Sequence, residues 1–277
     1  MRAFSLGVYE GDFPGNLDWK EKLTAAREMG FDFFEINIDE TRKSLKRLDM
    51  NAGEKDYLQL CVKKNGIPLK TMHLDIFRKY SLGSRNRAAS EKALYLLEKG
   101  VRLASELGIP IIRLSGYDVY YEITADETRP RFEKNIRAAA LIAAKYGVML
   151  GLETSENERL DTVEKTVSVV RKSCSAYMGV YLNSGNITVS SGRYNLNIKK
   201  DIRTGEGNII AAHLKDSIPG ICRGVRFGTG SVDFNTFIEQ SWKAGVRRFV
   251  LEGGNEKNDT WEKTLISGRE RIINCLR

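Results

Sequence analysis

Four short apolar runs in this 277-residue chain end on side chains that can bind a metal ion or move a proton. The runs are VMLGLE, MGVYLN, NIIAAHL and RRFVLE, and the side chains are Glu153, Asn183, His213 and Glu252. Successive members lie 30, 30 and 39 residues apart, and each gap has room for one helix with its loops. We therefore expect the runs to be neighbouring parallel strands whose carboxyl ends bring the four side chains together.

Two carboxylates, an amide oxygen and an imidazole are donors for a divalent metal ion such as Mn²⁺, Co²⁺, Mg²⁺ or Zn²⁺. An ion held by a ketone oxygen and the neighbouring hydroxyl would acidify the carbon between them, and carboxylates on opposite faces of that carbon could move its proton. Taken singly, a strand-end glutamate is often a salt-bridge partner, and a lone histidine is often structural. Because all four recur at equivalent positions, the pattern favours the chemistry of carbohydrate epimerases and ketose–aldose isomerases.

The apolar pattern along the chain alternates between strand and helix periods. The predicted strands are Phe4–Tyr9, Phe31–Ile36, Pro68–Leu74, Pro110–Leu114, Val148–Glu153, Met178–Asn183, Ile209–Leu214 and Phe249–Glu252. The amphipathic stretches include Trp19–Met29, Glu91–Leu107, Arg131–Tyr146 and Asp161–Val170, whereas 184–204 is the least regular part. Eight such units predict an α/β fold, a single (β/α)8 TIM barrel over residues 1–277, with its functional face at the carboxyl ends of the strands.

Composition narrows the function classes. The chain is 42% hydrophobic and 29% charged, as in ordinary globular proteins, and its +8 net charge is spread over helical stretches instead of forming one basic run. We therefore expect no nucleic-acid partner. We see no signal segment and no membrane span, so a cytoplasmic protein is expected, with its four scattered cysteines reduced.

Longer motifs carry a resemblance to a known family. They are GVYEGDFP, GFDFFEINIDET, RLDM, SLGS, SGYDVYY, GLE, HLKDSIPGICRGVRFGTGSVDF and LEGGNE, and they span nearly the whole chain. Through HLKD followed by FGTGSVDF the chain resembles the xylose isomerase-like TIM barrels, and through NIDET and GYDVYY it is similar to their L-ribulose-5-phosphate 3-epimerase branch. The resemblance implies an isomerase that epimerises C3 of a phosphorylated ketose, L-ribulose 5-phosphate or L-xylulose 5-phosphate.

The resemblance also implies roles for single residues. Glu153 and Glu252 match the paired glutamates that bind the metal and act as base and acid at C3, and His213 matches the histidine ligand. Asn183 stands where the family has an aspartate ligand, so the ligand set loses one negative charge and we expect weaker metal binding. Phe77 likewise aligns where close relatives tend to carry a histidine.

Further residues are candidates for substrate contacts. Lys215 and Asp216 follow the histidine in the shared motif, and Arg223 lies in the loop where related epimerases position the substrate. Tyr117 could line a sugar pocket or belong to the core, and His73 is as well explained by a structural role as by a substrate contact. The GYDVYY segment is a candidate pocket wall or subunit contact, and a homodimer is expected.

Two other functions are compatible with parts of the sequence. A DNA-repair nuclease of the endonuclease IV type would share the barrel, but its trinuclear site needs more histidines than the two present here. A catalytically degenerate relative that only binds a sugar phosphate would be consistent with the asparagine at position 183 and the phenylalanine at position 77.

Overall fold

The computed structural model describes residues 3–254 and 260–276. Within these ranges eight strands close into a barrel in chain order, each parallel to the next, and the last pairs with the first. The strands are β1 Ser5–Tyr9, β2 Phe33–Asp39, β3 Leu69–Asp75, β4 Ile111–Leu114, β5 Met149–Glu153, β6 Met178–Asn183, β7 Ile209–Leu214 and β8 Arg248–Leu251. The predicted TIM barrel is confirmed. The last two residues of the LEGGNE motif lie outside the described residues.

Helices follow the strands and surround the barrel. They are α1 Trp19–Glu28, α2 Arg42–Leu45, α3 Ala52–Asn65, α4 Arg87–Glu106, α5 Thr128–Tyr146, α6 Val163–Lys172, α7 Ser184–Tyr194, α8 Ile198–Thr204, α9 Phe234–Lys243 and α10 Trp261–Leu276. Short 3₁₀ turns occupy Glu10–Asp12 and Lys46–Asp49. In the ranges described, none of these helices combines the length and the apolarity that a membrane span requires.

Helix caps explain where several helices begin. The side chains of Asp18 and Asn51 each accept a hydrogen bond from the backbone N–H three residues on, and their own backbone N–H groups donate to the glutamate side chain at that position, as a capping box, at the starts of α1 and α3. Asparagine also caps the irregular stretch 184–204, which forms two helices: Asn183 caps α7 and Asn197 caps α8. Between them Asn195 ends α7 at a φ of 50°, a left-handed conformation that asparagine tolerates. The capping asparagines, more than a continuous apolar face, set where these two short helices begin and end. The stretch therefore lacks a clear apolar period.

Apolar packing divides into two parts. A large cluster fills the layer between the strands and the helices, and it includes Leu6, Val8, Phe34 and Ile36 from the first two strands. Smaller clusters fill the inside of the barrel: Tyr9 with Phe33 and Val250, and Ile111 with Tyr181 and Ala211. The barrel interior therefore has apolar packing below and leaves room for polar groups towards the strand ends.

A glycine inside the barrel helps to make that room. Gly151 of β5 lies in register with Arg113 of β4 on one side and with Gly179 of β6 on the other. A methyl group at position 151 would stand 2.8 Å from Cδ2 of Tyr181, whose side chain is fully buried. The missing side chain thus accommodates the tyrosine ring.

We expect Gly151→Ala to lower the free energy of unfolding by about 1–3 kcal/mol, because the added methyl group must displace a ring in a packed interior. Urea denaturation measures the change. Gly192→Ala in α7 is the matched control, since nothing lies within 4 Å of its added methyl group; it should stabilise the protein by up to about 1 kcal/mol. Equal effects of the two exchanges would contradict the packing argument.

Candidate functional site

The four residues singled out by the apolar runs lie at the carboxyl ends of their strands. Glu153 and Asn183 are the last residues of β5 and β6, His213 is the next-to-last of β7, and Glu252 directly follows β8. Asn183 and His213 are paired in register. The expectation that these side chains share one end of the barrel is confirmed.

A cavity of about 420 Å³ opens at this end. Of the residues expected to form the site, Glu153, Asn183, Glu252, Lys215, Arg223, Tyr117 and His73 line it. His213 and Asp216 do not. The cavity is large enough for a small sugar phosphate, and its walls are predominantly polar and charged.

Arg113 of β4 is the central cation of the site. Its side chain is only 3% exposed, and its Nη1 donates to Oε1 of Glu153 at 2.6 Å while Nη2 lies 3.3 Å from Oε1 of Glu35. Burial alone would lower the pKa of this guanidinium, but Glu153 and Glu35 outweigh burial and raise it well above its usual range. The group is therefore a permanent positive charge inside the barrel.

His213 connects two carboxylates below the cavity. Its Nε2 lies 3.0 Å from Oε1 of Glu35, and its Nδ1 lies 2.9 Å from Oε2 of Glu252. Burial and Arg113 lower the pKa of the imidazole, but the two carboxylates outweigh them and raise it. With a carboxylate facing each ring nitrogen, the imidazolium is the favoured form.

Glu252 is held ionised. Burial would raise its pKa, yet Lys215, the bond to His213 and the charge of Arg113 together hold the pKa well below its usual range. Glu35 is also ionised, because Arg113 and His213 outweigh burial and lower its pKa. The cavity floor thus contains alternating acidic and basic groups.

Both polar atoms of the Asn183 side-chain amide already form hydrogen bonds within the protein. Its Oδ1 accepts the backbone N–H of Asn186 at 3.1 Å, which is the cap of α7, and its Nδ2 donates to Oε1 of Glu153 at 2.8 Å. The backbone N–H of Asn186 can only donate, so it fixes which end of the amide faces it. The side of Asn183 that faces the cavity carboxylate is therefore a donor.

These residues do not fit a divalent metal ion in this arrangement. The oxygen of Asn183 is bound to the helix α7, both nitrogens of His213 face carboxylates, and Arg113 occupies the space beside Glu153. Among the described residues no group of three or more His, Cys, Asp and Glu side chains is placed to hold a metal ion. In the part of the chain that the structure describes, a protein cation, Arg113, stands between the expected ligands Glu153 and His213.

One wall of the cavity carries Asp75 and His73 on β3. Ser115 bridges them: its hydroxyl donates to Oδ1 of Asp75 at 2.6 Å and lies 3.2 Å from Nε2 of His73. Burial, more than the charge of Arg113, lowers the pKa of His73 well below its usual value, so the ring is neutral. Burial raises the pKa of Asp75 to about 6, although Arg78 opposes the shift. This carboxyl can hold a proton close to neutral pH.

The cavity mouth combines arginines with tyrosines. Arg78 and Arg223 both lie over the ring of Tyr120, at 5.5 and 5.3 Å from its centroid. Arg223 also donates to the hydroxyl of Tyr117 at 3.1 Å and pairs with Glu156. The side chains of Arg78 and Arg223 are 30% and 41% exposed, so both guanidinium groups can reach a ligand at the mouth.

Asp216 does not line the cavity. Its carboxylate is buried and accepts hydrogen bonds from the backbone N–H groups of Gly228, Gly230 and Val232 at 2.9, 2.9 and 3.3 Å. This carboxylate therefore holds the glycine loop in place. Phe77 is also away from the cavity, since it is 1% exposed within the apolar core.

Four site residues were missed in the sequence, and three of them left a signal. Arg113 and Glu35 interrupt the apolar strands IIRL and FFEIN, which marks a buried charge, and Asp75 ends its strand as Glu153 does. Arg78 gave no comparable signal, because a charged residue in a loop is common on protein surfaces.

Comparisons with known proteins agree with the fold. Residues 23–274 match the family described as xylose isomerase-like TIM barrel. The chain is 32% identical to L-ribulose-5-phosphate 3-epimerase UlaE of Salmonella heidelberg over 244 residues, which cover 88% of this chain and 84% of that protein. It is also 32% identical to the putative L-ribulose-5-phosphate 3-epimerase SgbU of Haemophilus influenzae, covering 99% and 96%.

Solved structures resemble the chain over nearly its whole length. A D-allulose 3-epimerase from Methylomonas superposes with a TM-score of 0.81 at 14% identity, covering 99% of both chains. A structure of L-ribulose 3-epimerase gives 0.79 at 15% identity, covering 99% of this chain and 94% of the other. At this identity the likeness establishes the barrel.

The raised pKa of Asp75 predicts a pH dependence of stability. An unfolded aspartate titrates near its usual value of 3.8 and the folded one near 6, so the folded state gains stability at low pH and loses it as pH rises to 6 and above. Between pH 4.5 and 7.5 the wild type should lose about 2 kcal/mol relative to Asp75→Asn, measured by urea denaturation. Asp233→Asn, at the cap of α9, is the control: the pKa of Asp233 is lowered, so its difference should stay flat over this range.

Proposed function

Since this chain belongs to the family of xylose isomerase-like TIM barrels, we propose that it is a 3-epimerase of a ketopentose 5-phosphate. Its relatives with 32% identity are named L-ribulose-5-phosphate 3-epimerases, which makes the chain a sugar epimerase of the isomerase class. L-Ribulose 5-phosphate and L-xylulose 5-phosphate, which differ at C3, are the proposed substrate and product.

The observation that carries this proposal is the pair of carboxylates facing one cavity from β5 and β8. Glu153 ends β5 and Glu252 follows β8, and these strands lie three positions apart around an eight-stranded ring, so the two carboxylates approach a ligand from different sides. A continuous set of contacts through Arg113 and His213 joins them. One carboxylate, in its ionised form, removes the C3 proton, and the other, which has taken up a proton from solvent, returns that proton to the opposite face.

The charge at the mouth supports a phosphorylated ketose. A phosphate needs several donors, and a guanidinium offers five N–H groups in a fixed geometry. The guanidinium groups of Arg78 and Arg223 both lie over the ring of Tyr120. Each of them also forms an ion pair with one carboxylate, which leaves other N–H groups for a phosphate. We place the phosphate of the substrate between them, with the sugar carbons reaching down to the glutamates.

The divalent metal expected from the resemblance has no part in this scheme. Arg113 supplies the positive charge beside Glu153, and the steps above use the side chains of the chain itself.

The proposal predicts exchange of the C3 proton with solvent. In D₂O the wild type should place deuterium at C3 of L-ribulose 5-phosphate, as seen by proton NMR, and convert it to L-xylulose 5-phosphate. Glu252→Gln and Glu153→Gln should each lose about 10²–10⁴-fold in rate, because a glutamine cannot accept the proton. The exposed exchange Glu91→Gln, on α4, serves as the matched control and should keep full activity.

Absence of deuterium at C3 would refute the epimerase proposal. If calorimetry then showed that the ketose phosphate still binds, the chain would be the binding-only relative. Deuterium at C1 in place of C3 would indicate ketose–aldose isomerisation.

The phosphate contact predicts a selective loss. Arg223→Gln should raise KM for the phosphorylated ketose by about 10–100-fold, the cost of one charge-assisted hydrogen bond, while kcat/KM for unphosphorylated L-ribulose changes little. Steady-state kinetics on the two substrates measures the ratio. The surface exchange Arg87→Gln should change neither value, since its side chain is 89% exposed on α4. Equal losses on both substrates would place Arg223 elsewhere than at the phosphate.

A further inference from the structure

We propose that the guanidinium of Arg113 takes the place of the divalent metal ion, so that this site binds no catalytic metal. The group stands between two of the expected ligands: Nη1 is 2.6 Å from Oε1 of Glu153 and 3.4 Å from Nδ1 of His213. The catalytic role of Arg113 rests on the proposed function, whereas the exclusion of a metal ion does not.

Distance and charge both oppose a metal ion beside Arg113. A divalent ion bonds a carboxylate oxygen at about 2.0–2.2 Å. An ion on Oε1 of Glu153 would therefore lie no more than about 5 Å from Nη1 of Arg113, because both bind the same oxygen. The carboxylates of Glu35, Glu153 and Glu252, set against the charges of Arg113 and the His213 imidazolium, leave a net charge of only −1 to attract the ion. Repulsion between the two cations is strong at this depth of burial.

The neutral residue at position 183 is consistent with a guanidinium in place of the metal ion. Asn183 turns its Nδ2 donor towards Glu153 and its oxygen towards the start of α7. An amide N–H group cannot coordinate a metal ion, but it can share the same carboxylate oxygen with a guanidinium. Arg113 and Asn183 thus satisfy Glu153 together, which an aspartate at position 183 would not do because it would face Glu153 with a like charge.

Arg113 is also placed to stabilise the reaction intermediate. It lines the cavity, and its buried Nε has no hydrogen-bond acceptor among the residues that the structure describes. When a carboxylate takes the C3 proton, the electrons of the C–H bond form a C2–C3 double bond and the ketone electrons move to the C2 oxygen. A fixed cation with donors near that oxygen stabilises the enediolate, and the reverse shift accompanies reprotonation at C3.

Titration of the wild-type protein with Mn²⁺ tests the inference directly. After dialysis against EDTA, calorimetry and Mn²⁺ electron paramagnetic resonance should detect no stoichiometric site with a Kd below about 1 mM, a weak-binding threshold equivalent to about −4 kcal/mol. One tightly bound ion per chain at this site would overturn the inference. This measurement needs no variant and no substrate.

Variants test whether Arg113 and Asn183 are the residues that prevent metal binding. The double exchange R113Q/N183D should create a Mn²⁺ site with an affinity on the order of 100-fold higher than that of the wild type, since it removes the cation and restores a carboxylate. Asn183→Asp alone should gain little, because Arg113 remains. Arg87→Gln combined with Asn183→Asp is the matched control for a lost arginine. A double variant that folds, as judged by circular dichroism, and still binds no Mn²⁺ would contradict the proposed role of Arg113.

Chelation separates this inference from the proposed function. C3 exchange by the wild type should be unchanged, within about twofold, after EDTA treatment; loss of exchange that Mn²⁺ restores would overturn the inference. If no ketose phosphate exchanges its C3 proton under any condition, the proposed function fails, and the Mn²⁺ titration still decides the metal question.

Discussion

The ion pair between Arg113 and Glu153 is the interaction on which the rest of the site depends. A guanidinium with 3% exposure is tolerated inside a barrel only where several acceptors surround it. Glu35 supplies a second carboxylate, and His213 carries the chain of charges on to Glu252. Removing any member would take one partner away from a buried charge, so these groups form one electrostatic unit although they come from five different strands or strand ends.

The shape and the rigidity of the cavity floor follow from the same cluster of charged groups. Gly151 stands beside Arg113 in register, and the absence of its side chain leaves room for the ring of Tyr181, whose hydroxyl donates to Glu35 at 3.1 Å. The floor of the cavity is therefore built from groups that each make several contacts and are at most 14% exposed. The mouth is different, because Arg78 and Arg223 are partly exposed and lie on a shared aromatic ring. Such a division suits an enzyme that places reacting carbons accurately and binds a charged tail more loosely.

The barrel was predictable from sequence because each strand is a short apolar run and each long helix has an apolar face. The strand ends were also predictable, since side chains at the carboxyl ends of parallel strands must share one face, and that rule located Glu153, Asn183, His213 and Glu252. The pairing of these residues was not predictable. Whether His213 faces a metal or two carboxylates depends on Glu35 and Arg113, which lie far away along the chain and meet it only when the barrel closes.

Asn183 illustrates how one residue can serve both the fold and the site. It is the last residue of β6, it caps α7 through its oxygen, and it holds Glu153 through its nitrogen. In a mutational scan, substitutions at this position would lower the amount of folded protein as well as its activity. Only the difference between an abundance assay and a turnover assay would then report on chemistry at this strand–helix junction.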